Sequence, residues 1–99
     1  MSNVIFFNSY KLKKGVSVSD FLEAVNRLND EYTSKQNGFI SSKIAVDGEI
    51  WADFTTFETM EDAKKFAEAN DPNDLAEKFY SFINLNSCIT RFFAIEGSH

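Results

Sequence analysis

Asn8 and Tyr10 in the stretch VIFFNSYK, and Asp53 in WADFTTF, are polar side chains set at short intervals among aromatic residues. Side chains alternate across an extended strand, so Val4, Phe6, Asn8 and Tyr10 share one face, and Trp51, Asp53, Thr55 and Phe57 share another. A carboxamide and a phenol on an aromatic wall suit a planar, partly polar ligand. A carboxylate among aromatic rings has its pKa raised and can accept a proton near neutrality. Asn8 and Asp53 are therefore the candidate catalytic residues, and Phe6, Tyr10, Trp51 and Phe57 the candidate ligand-binding surface. Plainer roles compete: Asn8 as a polar residue leaving the core, bonded to nearby backbone, and Asp53 solvated at a strand edge or paired with a lysine. Parity alone leaves open which side of its strand Asp53 faces.

Composition removes several alternatives. Fifteen acidic and ten basic residues give a formal net charge of −5, and the basic residues are dispersed apart from Lys11, Lys13 and Lys14. A phosphate backbone is repelled by that balance, so no nucleic-acid partner is expected. The single cysteine, Cys88, has no disulfide partner within the chain, and the only histidine is His99. No metal site is expected from such a set, and Cys88 reads as a small buried hydrophobe. The apolar run Val4 to Phe7 is too short for a signal peptide, and nothing approaches the roughly 18 apolar residues of a membrane span. A cytoplasmic protein without a membrane partner is expected.

The pattern along residues 1–99 reads as a single domain. Val4 to Phe7 begin a strand, Gly15 ends the arm KLKKG, and Ser17 with Asp20 mark a helix start. Phe21, Val25, Leu28 and Tyr32 then form one stripe of a helix predicted to run to about Ser34, with Gly38 closing the connection. Asp47-Gly48 between two strand-like runs predicts a type I′ hairpin joining residues 39–46 to 49–57. Thr59 and Asp62 open a second helical region with Ala63, Phe66 and Ala67 on its apolar side. Pro72 interrupts it. Helix resumes near Asn73, with Leu75, Ala76, Phe79, Phe82 and Ile83 buried, and SCITRFFAIE makes the last strand. Tyr32 and Tyr80 read as helix-packing aromatics.

The order β-α-β-β-α-β is that of a ferredoxin-like α+β sandwich, a four-stranded antiparallel sheet with helices on one face. Every strand carries large apolar residues at both parities, so the face opposite the helices also needs a cover. A second sheet from an identical chain supplies one most simply, giving a homodimer.

The chain resembles the dimeric α/β-barrel superfamily, in particular its antibiotic-biosynthesis-monooxygenase-like group. KLKKG leading into DFLEAVNRL, then NGFISSKI, the passage from Trp51 to Ala63, and the return strand after NLNS carry the likeness across nearly the whole chain. The resemblance implies two protomers with sheets face to face forming an α/β barrel, a cavity between sheet and helices, and cofactor-free oxygenation of an aromatic or polyketide-like molecule. The alternative is a non-catalytic small-molecule-binding or stress-associated dimer, its cavity filled by its own phenylalanines. The haem-degrading branch pairs a first-strand asparagine and a following glycine, matched by Asn8 and Gly15, with a tryptophan where this chain has Phe57 and a haem-ligating histidine. With no histidine between Met1 and Ser98, haem ligation in that manner is not expected.

Overall fold

The computed structural model describes residues 3–69 and 73–99. Strand β1 (Val4–Leu12), helix α1 (Val18–Glu31), strands β2 (Phe39–Asp47) and β3 (Ile50–Phe57), helices α2 (Met60–Glu68) and α3 (Asp74–Ser81), and strand β4 (Ile83–Ala94) follow in order. The sheet runs β2-β3-β1-β4, and every neighbouring pair is antiparallel. This is the ferredoxin-like arrangement, with the second helical region divided in two. Pro72, the residue expected to divide it, lies outside the described residues.

Each helix start has a local cause. The Ser17 side chain accepts from the Asp20 amide at 3.2 Å, and Thr59 Oγ1 accepts from the Asp62 amide at 3.0 Å. Asn73 Oδ1 accepts from the amides of Leu75 and Ala76. Each hydrogen bond satisfies a donor that the first helical turn leaves free.

Three boundaries differ from the sequence expectation. Helix α1 stops at Glu31, and the 3₁₀ turn Thr33–Lys35 takes up the remaining residues before Gly38. The hairpin turns one residue later than expected. Asp47 pairs with Ile50, and of Gly48 and Glu49 only the glycine has positive φ, at 59°. That is the pattern of a type II′ turn, in which the first central position carries the strain that glycine tolerates. Ile83 is strand rather than helix: it is fully buried and pairs with Leu12 at the start of β4. The register then shifts opposite Tyr10, where Ser87 Oγ replaces a backbone carbonyl as acceptor for the Lys11 amide, at 2.8 Å.

Helices cover one sheet face over two apolar clusters. Tyr10, Phe21, Val25, Phe79 and Ile83 form one; Val4, Phe57 and Ala63 form the other. On the opposite face Phe7 packs between Phe54 and Phe93, with ring centroids 5.3 and 5.9 Å away. Phe93 and Ile89 there remain about half exposed, at 48% and 51%. Among the described residues no helix is long and apolar enough to cross a membrane.

Candidate functional site

Sheet register builds the site before any side chain is considered. Asn8 on β1 stands directly opposite Asp53 on β3 and, on its other side, opposite Thr90 on β4. One step along, Phe6 stands between Thr55 and Phe92, and Thr55 opposes Ser42 on β2. These two rows share the helix-facing side, because residues two apart on a strand point the same way. That answers the question parity left open: Trp51, Asp53, Thr55 and Phe57 face the helices, while Phe54 faces away with Phe7.

Above the two rows lies a cavity of about 150 Å³, between the apolar clusters. Asn8, Asp53, Thr55 and Ser42 supply its polar floor, and Phe6, Val25, Leu28, Phe66 and Phe79 its apolar walls. It reaches the surface past Ala67 and Ala69, lining residues that are exposed.

Hydrogen bonds hold the floor in place. Thr90 Oγ1 donates to Asn8 Oδ1 at 3.1 Å, which leaves the amide N–H groups as the donors Asn8 can offer. Tyr10 donates its phenolic hydrogen to Asp53 Oδ1 at 3.0 Å. Ser42 and Thr55 share a hydrogen between their hydroxyls at 3.1 Å. The carboxylate's partner is thus a phenol. The ion pairs among the described residues, Lys11–Glu49, Arg27–Glu31 and Lys65–Glu61, all lie at the surface.

Burial without a cation governs the protonation of Asp53. Desolvation pushes its pKa up to about 7, against the opposing effect of the Tyr10 hydrogen bond. Asp53 is otherwise half-buried and lines the cavity. Tyr10 is raised above the ordinary phenol value, first by burial and then by the neighbouring Asp53 charge, so it stays a neutral donor. Burial also raises Tyr80 and Cys88. Near neutrality the site therefore offers a carboxylate able to take a proton, beside a carboxamide able to stabilise the anion that remains. Among the described residues no group of three or more His, Cys, Asp or Glu is arranged to hold a metal ion.

The sequence-derived residues separate into two groups. Phe6, Asn8 and Asp53 line the cavity, with Tyr10 directly behind Asp53. Phe57 is completely enclosed, edge-on to Phe39 and 5.3 Å from Phe66, the ring that closes one cavity wall. Trp51 packs edge-on to Phe21 at 5.3 Å and lines a separate outer cleft with Lys11, Lys13 and Lys14. Ser42, Asn29, Tyr32, Thr33 and Tyr80 also line the cavity without having been singled out as site residues. Their common signal is a polar atom on a face otherwise apolar, which is visible only after helix and strand have been docked.

No protein-family model and no curated protein sequence matches the chain. Solved structures do. A cofactor-independent oxygenase from Streptomyces nogalater, SnoaB, is similar at a TM-score of 0.78 and 10% identity, covering 99% of this chain and 97% of the other. A candidate antibiotic biosynthesis monooxygenase from Bacillus cereus is similar at a TM-score of 0.68 and 19% identity, covering 100% and 98%. A dimeric protein of unknown function with a ferredoxin-like fold, from Bacteroides fragilis, is similar at 0.66 and 16%, covering 96% and 98%. At these identities the likeness is one of fold.

Proposed function

We propose that this chain is a cytoplasmic, cofactor-independent monooxygenase-like enzyme, acting as a homodimer on an aromatic or polyketide-like small molecule bound between sheet and helices. The observation that carries the reading is the cross-strand pair Asn8–Asp53 on the cavity floor. The activity described for SnoaB agrees with it, and the apolar open face together with the dimeric neighbour supports the assembly.

In this reading an enolisable or phenolic substrate gives its proton to Asp53, whose orientation Tyr10 maintains. The Asn8 amide donates to the oxygen on which negative charge develops. The electron-rich carbon then reduces molecular oxygen directly. For a methylene centre, R₂CH₂ + O₂ gives R₂C=O + H₂O: carbon loses four electrons, one oxygen atom enters the product and the other leaves as water. The protein's own tasks are to take the proton, hold the anion and keep the site dry.

Oxygen uptake tests this. A panel of enolisable and phenolic compounds should yield at least one that consumes oxygen faster with the protein than without it. The rate should rise as pH passes through about 7, and Asp53→Asn should remove it. No enzyme-dependent uptake across the panel would defeat the catalytic role. The small volume of the cavity, walled by aromatic rings, favours a second reading, a protein that binds without turnover. A compound that raises the melting temperature yet consumes no oxygen selects it.

A further inference from the structure

We propose that the cavity selects a molecule of one six-membered ring bearing a hydroxyl group, a monocyclic phenol, and that Phe66 is the residue that sets this limit. The inference rests on the preceding reading for the role of Asp53 as proton acceptor, and it narrows the ligand that reading leaves broad.

Size is the first argument. A cavity near 150 Å³ is what a single benzene ring occupies in a protein interior, whereas drug-sized ligands occupy roughly 300–1,000 Å³. The volume here is about 150 Å³, so within the walls a second fused ring needs space that a side chain now fills, and the opening past Ala67 and Ala69 gives it only solvent. Phe66 fills it at one end, wedged against Phe57 at 5.3 Å, Phe6 at 5.8 Å and Tyr32 at 6.0 Å. Phe79 closes the other, held by Tyr10 at 5.7 Å and Phe21 at 5.9 Å. Neither ring can swing aside without breaking several aromatic contacts, each a modest but real contribution.

The floor supplies the second argument. Thr90 engages the oxygen of Asn8 and Tyr10 engages one oxygen of Asp53. The groups left for a ligand are the Asn8 amide N–H and the second carboxylate oxygen, side by side on neighbouring strands. One hydroxyl satisfies both, donating its hydrogen to Asp53 and accepting from Asn8. A hydrocarbon ring of the same size satisfies neither and leaves a buried carboxyl poorly solvated. Phe6, Phe66 and Phe79 provide the apolar surface for the ring itself.

Calorimetric titration with phenol, toluene and 2-naphthol separates the two arguments. The protein should bind phenol at least tenfold more tightly than toluene. It should bind 2-naphthol no more tightly than phenol, although the larger ring system carries more apolar surface and would win in an unrestricted site. In Phe66→Ala the order should reverse, with 2-naphthol favoured at least tenfold. Ala76→Leu, which fills the cavity from α3, should abolish phenol binding in a protein of unchanged circular dichroism; if Phe66→Ala does not fold, the milder Phe66→Leu should still move the preference toward 2-naphthol, and an unmoved preference would overturn the role of Phe66. Tighter binding of 2-naphthol by the parent protein, equal binding of toluene and phenol, or no binding of phenol would each overturn the inference. Titration needs no turnover: phenol binding without oxygen uptake keeps the one-ring limit and removes the oxygenase, while oxidation of a three-ring substrate without phenol binding does the reverse.

Discussion

Asp53 is a carboxyl buried with a phenol and, among the described residues, no cation as its partner, and that burial makes stability depend on pH in an unusual direction. Its pKa in the folded protein is raised to about 7, so between about pH 4 and 7 the folded chain holds a proton that the unfolded chain has released. Stability should therefore fall as pH rises through that window and level off above it. The full difference is on the order of 4 kcal/mol. Urea denaturation from pH 4 to 8 should show this slope, and Asp53→Asn should flatten it; an identical slope in the variant would refute the protonation argument. Asn8→Ala removes one side-chain hydrogen bond, to a threonine that is itself exposed, and should cost no more than about 1 kcal/mol of stability. It should weaken a bound ionised enol or phenol by about 1.5–3 kcal/mol. A destabilised variant with intact ligand affinity would return Asn8 to a purely structural role. Both residues were visible in the sequence, because β1 and β3 alternate without interruption across the site. Ser42 was not. The register shifts between Phe39 and Ser41, so counting by twos from Phe39 turns Ser42 away from the cavity that it lines.

Elements were legible where a local rule specified them and blurred where a distant partner did. Ser17 and Thr59 cap the helices their spacing indicates. Ile83, by contrast, continues the helical stripe of Phe79 in sequence, and only Leu12, far away in the chain, makes it a strand residue. Two glycines give a test at this scale. Gly15 and Gly38 both have φ of 78°, a conformation costing a side chain about 1–3 kcal/mol. A Cβ at Gly15 would meet open space, while one at Gly38 would run into the side chain of Asp62 in the first turn of α2. The Gly38 carbonyl also accepts from the Glu58 amide at 2.8 Å, tying the start of β2 to the end of β3. Gly38→Ala should lower stability measurably more than Gly15→Ala in chemical denaturation. Equal losses would mean that the contact between this turn and α2 contributes nothing beyond backbone strain.

At the scale of the molecule, the two-sided apolar pattern is the feature that sequence conveyed most directly, since it needs no knowledge of which face meets the helices. Phe7, Phe54 and Phe93 line up across three strands on the side away from α1, α2 and α3. A self-complementary interface through that face predicts a dimer at micromolar concentration in sedimentation equilibrium. Phe7→Asp should yield monomer or insoluble protein, because a carboxylate buried without a partner is costly, while Lys14→Ala should leave the dimer intact. A monomeric parent protein would sink the assembly. The strand order has a further consequence, for biosynthesis. Strand β1 is made first, yet one of its two edges is completed by β4, the last element, through pairs such as Val4 with Ala94. At cellular elongation rates that wait is on the order of 10 s. Until β4 exists, the run Val4 to Phe7 keeps one flank unpaired, since β3 pairs only with the other. An unpaired apolar edge is a template for association with other chains, a hazard of synthesis that the finished, edge-paired strand no longer carries.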